Sequence, residues 1–191
     1  MKVRLAIFAS GNGTNAHVLL NYFSNHPTIE IGLIVTNNEQ AGVLTIAQTF
    51  AVETIIFDNN AFTHGEQVLQ CLINKQIDFI ILSGFLRKIP EKLITAFDRK
   101  IINIHPALLP KFGGKGMYGK FVHEAVYQAN EKESGITIHL VNQEFDKGAH
   151  LAKYTCKLTP TDNPESIASK VQQLEHEYFA PTIERYILSL Y

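Results

Sequence analysis

The chain has 191 residues, of which 46% are hydrophobic and 18% are charged, and its formal net charge is -1 at pH 7. A chain of this length and composition can bury a substantial core, which excludes an intrinsically disordered protein. The near-neutral balance gives no broad basic field for a nucleic acid, and no apolar run is long enough for a signal peptide or a membrane span. Two cysteines are too few for a disulfide framework. We therefore expect a cytoplasmic protein with no nucleic-acid or membrane partner.

Short β-branched runs alternate with longer amphipathic runs as far as residue 105. The short runs show little polar/apolar alternation, which is typical of strands covered on both faces in a parallel sheet. The predicted strands are Val3 to Ala9, Ile29 to Val35, Thr54 to Phe57, Asp78 to Leu82 and Ile101 to Ile104. The predicted helices are Asn15 to Ser24, Gln40 to Phe50, Thr63 to Lys75 and Pro90 to Phe97. This order predicts an α/β fold with a doubly wound, mostly parallel, Rossmann-like sheet.

The pattern changes after residue 105. A glycine-rich loop over Lys111 to Lys120 leads into a predicted helix over Phe121 to Asn130. Two runs with period-two alternation, Gly135 to Val141 and His150 to Leu158, then flank the turn-like residues 144–148. They predict an added, antiparallel pair of strands at the C-terminal side of the sheet.

Asn163 and Pro164 predict the start of a long terminal helix, with Asn163 as its N-cap. Pro181 lacks a backbone N–H, so we expect it to kink or split that helix. We find no linker and predict one domain over residues 1–191, with a phosphate-binding half at 1–105 and a C-terminal part at 106–191.

The motif Ser10-Gly-Asn-Gly-Thr-Asn-Ala16 follows the first predicted strand and opens the first helix. Its glycines permit a sharp turn, and free N–H groups at a helix start attract an anion, so we expect a phosphate site rather than a simple turn. The spacing also fits a dinucleotide-binding loop, which needs an acidic residue at the end of the second strand. That position reads Thr36-Asn37-Asn38, which favours a phosphate monoester instead.

A second glycine-rich run, Gly114 to Lys120, has the spacing of a nucleotide-binding loop but is followed by Phe121. Phenylalanine offers no hydroxyl for a magnesium ion, and the run does not directly join a strand to a helix. We interpret it as a basic loop near the site.

The run Asn103-Ile-His-Pro106 carries the clearest catalytic pattern. Residues two apart in a strand point to one side, so Asn103 and His105 are expected to converge at the carboxyl end of a parallel strand, where ligands bind. Their N–H groups suit an oxygen that becomes negative during acyl transfer. The alternative is a histidine satisfied within the core. Asp146 is a candidate partner that would raise the pKa of His105, although surface turns commonly contain aspartates.

These motifs together resemble the folate-dependent formyltransferases over nearly the whole chain. The resemblance rests on Ser10 to Asn15, Ser83-Gly-Phe-Leu-Arg87, Asn103 to Pro110 and Phe145-Asp-Lys-Gly148. The Ser-Gly-Asn-Gly-Thr-Asn opening narrows it to the phosphoribosylglycinamide formyltransferase family. The resemblance implies transfer of a formyl group from 10-formyltetrahydrofolate, as co-substrate, to the amine of glycinamide ribonucleotide in purine synthesis, with no metal.

The resemblance also implies roles for individual residues. Asn103, His105 and Asp146 would be catalytic: Asn103 and protonated His105 stabilise the oxyanion, His105 is the general acid, and Asp146 supports its charge. The implied contacts to glycinamide ribonucleotide come from Gly13, Thr14, Asn15, Gln172 and Glu175. The implied folate contacts come from Asn103, from Leu86, Arg87, Lys88 and Ile89, and from the loop Asn142 to Asp146, which completes the folate site in the C-terminal part.

Two departures from the family pattern affect the folate side. The run Phe62-Thr-His-Gly-Glu66 lacks an arginine that family members often have, and residues 113–120 replace a His-Thr-His-like run. The alternatives are a formyltetrahydrofolate hydrolase, which would pass the formyl group to water, and a non-catalytic module that binds sugar phosphates. A methionyl-tRNA formyltransferase would need a further C-terminal domain and a basic surface. Monomer and homodimer both fit the sequence.

Overall fold

The computed structural model describes residues 2–191. Within them, seven strands form one mixed, mostly parallel sheet in the order β3-β2-β1-β4-β5-β6-β7. The strands are β1 (Val3–Phe8), β2 (Ile29–Thr36), β3 (Thr54–Ile56), β4 (Phe79–Leu82), β5 (Ile101–His105), β6 (Glu133–Leu140) and β7 (His150–Lys157). The helices are α1 (Thr14–Phe23), α2 (Val43–Thr49), α3 (Asn59–His64), α4 (Glu66–Asn74), α5 (Glu91–Ala96), α6 (Lys120–Gln128) and α7 (Pro164–Leu188). The predicted Rossmann-like α/β fold with an added C-terminal strand pair and long helix is confirmed.

The chain groups into two compact units, Met1–Ile102 and Asn103–Tyr191. In the first unit, β1 pairs in parallel with β2 and β4, and β2 pairs in parallel with β3. The last four residues of β1 and all of β4 are buried, as expected for strands covered on both faces. Phe8, for example, is fully buried with its ring edge-on to Phe62 and Phe85. Burial of such a side chain stabilises the fold by roughly 1.5–3 kcal/mol.

The second unit contains the antiparallel pair β6 and β7, whose register shifts between Ile138 and His139. The 25-residue helix α7 packs against both strands and α6, and the ring of Tyr178 stacks on that of Tyr154 at 3.8 Å. The side chain of Asn163 accepts a hydrogen bond from the Ser166 N–H, and the Ser166 hydroxyl accepts one from the Asn163 N–H. The predicted N-cap is therefore present as a reciprocal capping box.

Three local predictions are wrong. The helix expected over Thr63 to Lys75 is two helices, because Gly65 adopts a positive φ of 72° between α3 and α4. The split of α7 at Pro181 does not occur, because buried Phe179, Ile183 and Ile187 hold the C-terminal half of this helix in the core, whereas a kink there stays a prediction. Strand β7 alternates in burial as expected, but β6 is buried from Ser134 to Leu140, since helix α7 packs on it.

Candidate active site

The predicted phosphate loop ends in a left-handed glycine in the first unit. Gly13 has φ 77° and ψ 22° and is the N-cap of α1, which carries no side-chain capping bond at this end. A Cβ on Gly13 would lie 2.9 Å from the backbone of Val43, so this position requires glycine for both conformation and space. Thr14 is exposed and Asn15 half-buried at the helix start. The first-turn N–H groups therefore form a positive end that suits an anion.

Ser10 connects the ends of three strands around this loop. Its hydroxyl donates to Asn37 Oδ1 at 2.7 Å and accepts from the Leu86 N–H at 3.2 Å. Its carbonyl accepts from the Asn38 side-chain amide, and its N–H donates to the Gly84 carbonyl at 3.2 Å. Strands β2 and β4 lie on either side of β1, so the loop stands where the strand order reverses, the usual position of a ligand crevice. Asn37 and Asn38 thus lie beside the loop that Ser10 begins. In the sequence, the run of polar residues at the end of the second strand indicated this position.

The four residues implied as folate contacts after β4 differ in exposure. Leu86, Arg87 and Lys88 are exposed, and Leu86 is 56% exposed although it is a large apolar side chain. Ile89 is only 4% exposed, so its side chain belongs to the core. Only the backbone of Ile89 could contact a ligand. The exposed segment 86–88 is therefore the part of this prediction that can meet a ligand.

His105 ends β5 in the second unit and is 4% exposed. Its Nε2 lies 2.8 Å from the Phe112 carbonyl oxygen, and because a carbonyl only accepts, Nε2 carries the hydrogen. Its Nδ1 lies 3.7 Å from Asp146 Oδ2. The structure therefore brings together the predicted histidine and carboxylate.

Asp146 has a left-handed backbone, with φ 56°, in the segment between β6 and β7. Such a conformation is unusual for a residue with a side chain and is often found at functional sites. Its Oδ2 accepts from the Gly114 N–H at 2.9 Å, and its Oδ1 lies 3.6 Å from His139 Nε2. The carboxylate thus lies between two histidines and is held by a backbone bond.

His139, which the sequence did not single out, completes the cluster. It is 2% exposed, its Nε2 lies 3.1 Å from Asn103 Nδ2, and its Nδ1 lies 2.9 Å from the Leu140 carbonyl oxygen. The pairing of β6 with β7 shifts register at Ile138/His139, an irregularity of the kind that is common beside active sites. From two positions of one strand, Asn103 therefore contacts His139 and His105 lies beside Asp146, and Asp146 in turn lies beside His139.

Burial controls the protonation of this cluster. It lowers the pKa of His105 more than the Asp146 carboxylate and the Phe112 carbonyl raise it, and His139 lowers it further. Asp146 thus raises the pKa of His105 as expected, but burial outweighs this contribution and the net shift is downward. Burial acts to raise the pKa of Asp146, but His139, the Gly114 N–H and His105 together lower it below its ordinary value. At neutral pH, Asp146 is ionised and His105 is neutral.

His123 on α6 is a further buried histidine that the sequence reasoning missed. It is 8% exposed, and its pKa is lowered first by burial and then by the charge of His105. His105, His123 and His139 lie far apart in the sequence, and their only common signal is an imidazole in a buried element.

The remaining implied residues lie on two elements of the second unit. Gln172 is exposed and Glu175 half-buried on α7, and Asn142 is exposed after β6, where its Oδ1 accepts from the Glu144 N–H. Within residues 2–191, no group of three or more His, Cys, Asp or Glu side chains is placed to hold a metal ion. In the same residues, no helix is both long and apolar enough to cross a membrane.

The backbone at Gly148 lies directly against the backbone at Leu140, the last residue of β6. Gly148 is buried, and a Cβ at this position would overlap the carbonyl oxygen of Leu140, which is the acceptor for His139 Nδ1. The Leu140 N–H donates to the Ala149 carbonyl at 2.9 Å, so a backbone hydrogen bond joins the two segments at this point. Gly148 therefore allows the carbonyl that holds His139 to lie where it does.

Comparison with known proteins identifies the family. The model of the formyl transferase family matches residues 3–183. The chain is 35% identical over 186 residues to the chloroplastic phosphoribosylglycinamide formyltransferase of Arabidopsis thaliana, covering 94% of this chain and 64% of that protein. It is 30% identical over 192 residues to the phosphoribosylglycinamide formyltransferase of Bacillus subtilis, covering 98% and 95%.

The fold comparison agrees with the sequence comparison. The crystal structure of phosphoribosylglycinamide formyltransferase from Bacillus halodurans superposes with a TM-score of 0.87 at 32% identity, covering 96% of this chain and 95% of that one. The chain spans less than two thirds of the length of the Arabidopsis protein but nearly all of the bacterial ones. On the match over residues 3–183 and on these relatives, the chain belongs to the formyl transferase family.

Proposed function

We propose that this chain transfers the formyl group of 10-formyltetrahydrofolate to the amine of glycinamide ribonucleotide. The observation that supports this most directly is the cluster of buried His105 and His139 with half-buried Asn103 and Asp146, in a chain of the formyl transferase family. The similar proteins from Arabidopsis and Bacillus subtilis bear the name phosphoribosylglycinamide formyltransferase, which suggests the acceptor. The place of this reaction is purine biosynthesis.

The reaction needs an oxyanion site and a proton carrier. The amine nitrogen attacks the formyl carbon, the carbonyl electrons move onto oxygen, and the bond from carbon to the folate nitrogen then breaks. One proton leaves the amine and one reaches the folate nitrogen, so no other reactant is consumed. Asn103 Nδ2 and His105 Nε2 are the N–H groups we assign to the oxyanion.

Because His105 is neutral at the start of the reaction, it must take up a proton before it can act as the general acid. Its Nδ1 bears a lone pair and lies 3.7 Å from the ionised Asp146, so a proton taken up there is stabilised by the carboxylate. His105 therefore becomes a cation only as the amine loses its proton, directly or through water. As a cation it is the general acid toward the leaving folate nitrogen.

Turnover also requires the Phe112 carbonyl to release His105. That carbonyl now accepts the Nε2 hydrogen at 2.8 Å, and a formyl oxygen needs the same hydrogen. Phe112 has a positive φ of 56° and is followed by two glycines, Gly113 and Gly114, which permit a backbone change at low cost. We infer that the formyl oxygen replaces this carbonyl at Nε2.

The substrate contacts follow from the residues already described. Gly13, Thr14 and Asn15 present the N-terminus of α1 to the phosphate, and Gln172 and Glu175 contact the rest of glycinamide ribonucleotide. The exposed segment 86–88 and the loop 142–146 contact the folate, where Arg87 and Lys88 suit carboxylates. Absence of a metal, a cytoplasmic location, the lack of nucleic-acid and membrane partners, and a monomeric or homodimeric state stay predictions from the sequence.

A two-substrate assay tests the proposal. The purified protein is mixed with 10-formyltetrahydrofolate, with and without glycinamide ribonucleotide, and deformylated folate is followed by absorbance. We expect product only when both substrates are present. Release of folate without the amine would instead identify a hydrolase, and binding of the ribonucleotide without turnover would identify a sugar-phosphate-binding module.

A further inference from the structure

Three consecutive residues, Phe112, Gly113 and Gly114, contact two of the proposed catalytic side chains, and we call these three residues the strap. The Phe112 carbonyl accepts from His105 Nε2 at 2.8 Å, and the Gly114 N–H donates to Asp146 Oδ2 at 2.9 Å. Phe112 and Gly114 both have a positive φ, of 56° and 96°. A shift of the strap changes both hydrogen bonds, so the contacts that hold the strap also control the surroundings of His105 and Asp146.

The strap lies directly on the side chain of Leu109. A Cβ added to Gly113, the middle residue of the strap, would overlap Leu109 Cδ2, so glycine is needed for the two residues to be this close. Leu109 is 2% exposed, and a side chain packed in the core has little freedom to move away. The position of Leu109 therefore limits where the strap can lie relative to His105.

Side chains from two strands hold both polar groups of the Leu109 backbone. The Leu109 N–H donates to Thr137 Oγ1 at 3.0 Å, and Lys153 Nζ donates to the Leu109 carbonyl oxygen. The Thr137 hydroxyl uses its one hydrogen to donate to the Ala107 carbonyl at 2.8 Å. Thr137 is fully buried, so loss of its hydroxyl would leave the Leu109 N–H and the Ala107 carbonyl without a partner.

The two residues that hold Leu109 lie opposite each other in the sheet. Thr137 of β6 pairs with Lys153 of β7 in the antiparallel register. The side chains of directly opposed residues project from the same face of a sheet, so both can reach one residue of the segment that follows β5. A single cross-strand pair thus attaches the Leu109 backbone to the two strands.

We propose that Thr137 and Lys153 are positioning residues, which hold Leu109 and, through its side chain, hold the strap against His105 and Asp146. Both act through Leu109 and not through a contact with the substrate. The consequence for turnover rests on the proposed function, whereas the hold on the strap does not. Thr137 has the larger part, because it is buried and makes two bonds, whereas water can replace the ammonium of the exposed Lys153.

Nuclear magnetic resonance tests the hold on the strap without any substrate. The full chain is labelled with ¹⁵N-histidine, and the His105 Nε2–H signal is assigned by its loss in His105→Gln. Thr137→Val removes the hydroxyl with little change of shape, and we expect it to shift this signal and to speed its exchange with water at least about tenfold. Thr137→Ser keeps the hydroxyl and should restore both properties. A His105 signal that is unchanged in Thr137→Val would overturn the proposal.

The same variants test the consequence for turnover. We expect Thr137→Val to lose about 10- to 100-fold in kcat, with KM changed by less than about threefold, as for a displaced catalytic group. Thr137→Ser should recover most of that loss. Lys153→Met keeps the apolar stem of an exposed side chain, and we expect a smaller loss in kcat, of about two- to fivefold. A wild-type kcat in Lys153→Met would overturn the role of Lys153.

The control is Thr182→Val, which removes the hydroxyl of another buried threonine in the same unit, on α7 beside Tyr154. We expect it to lower the melting temperature but to leave kcat, KM and the His105 signal unchanged. Circular dichroism establishes that each variant is folded. If Thr137→Val does not fold, Lys153→Met decides, because it should shift the His105 signal in the same direction.

The outcomes separate positioning from general stability. Equal losses of kcat in Thr137→Val and Thr182→Val would show that any buried hydroxyl gives the effect, and would overturn the positioning role. If Thr137→Val is destabilised but keeps the kcat of the wild type, the role is wrong even if the chain is a formyltransferase. If the wild type fails to turn over these substrates, the proposed function fails and the resonance experiment alone decides whether Thr137 holds the strap.

Discussion

The phosphate loop and the histidine cluster are built in opposite ways. The loop at 10–15 uses backbone N–H groups and one left-handed glycine, all within six consecutive residues of the first unit. The cluster uses side chains from β5, from β6 and from the segment between β6 and β7, up to 43 residues apart. A backbone site is therefore visible as a short motif, whereas a side-chain site depends on how distant segments pack.

The two sites also differ in what can weaken them. A backbone site tolerates many side chains but fails when the turn cannot form, so its sensitive positions are glycines. A side-chain site depends on the protonation of its groups. Burial can shift the pKa of such a group more than any one neighbour does, and it does so for His105. Substitutions in the loop should affect folding and binding, and substitutions in the cluster should affect the rate.

The largest effect is expected from the cluster. His105→Ala removes the proposed proton carrier and one proposed oxyanion donor, and Asp146→Asn keeps the shape but removes the charge that we propose stabilises the His105 cation. We expect each to lower kcat by at least about 10²- to 10³-fold while the melting temperature changes little. Glu133→Gln, an exposed carboxylate of the same unit, is the control for loss of a negative charge. Near-wild-type rates in either cluster variant would contradict the assigned roles.

The corresponding test of the loop compares two glycines. Gly13→Ala forces an alanine into φ 77° and places its Cβ 2.9 Å from Val43, so we expect the free energy of unfolding to fall by about 2–4 kcal/mol. A Cβ on Gly11 meets nothing within 4 Å, so Gly11→Ala should be nearly neutral for stability. Urea denaturation measures both. Equal losses for the two variants would show that the turn is not the constraint.

The start of α7 offers a site that is local, like the loop, but depends on a side chain. Asn163→Ala removes the acceptor for the Ser166 N–H, and we expect a loss of about 1 kcal/mol in the free energy of unfolding. Gln173→Ala, in the exposed middle of the same helix, should change stability by less than about 0.5 kcal/mol. A loss at Asn163 no larger than that at Gln173 would mean that the cap contributes nothing.

The smallest effect is expected from pH on stability. Burial lowers the pKa of both His105 and His123 below the ordinary 6.5, so the unfolded chain binds more protons than the folded one as the pH falls through 6.5. Stability should therefore be greatest above this pH and decline below it. We expect the melting temperature to fall between about pH 8 and about pH 5.5, and to fall less in His123→Leu. A melting temperature that rises on acidification would contradict the assigned direction.

The fold was readable from the sequence because its signals are local. Unbroken β-branched runs identified the covered strands, the Asn163-Pro164 pair identified the start of α7, and Gly11 and Gly13 identified the turn from β1 into α1. The break at Gly65 and the continuity through Pro181 were not predictable, because each depends on whether tertiary contacts outweigh a local preference.

The cluster was only partly readable from the sequence. Asn103 and His105 lie two apart on one strand, and Asp146 followed from the family resemblance. His139 was missed because an imidazole inside a buried strand has no local signature, and because the register shift beside it depends on the pairing of β6 with β7. The effect of Asp146 on the pKa of His105 has the predicted sign, but the larger, opposite effect of burial could not be read from the sequence.

The absence of a side chain at Gly148 has a chemical consequence as well as a steric one. Any larger residue there would displace the oxygen that binds the Nδ1 hydrogen of His139, and with it the reason for the imidazole to keep that hydrogen. A methyl group added at a residue with no chemistry of its own would thus remove the contact that holds the imidazole in place.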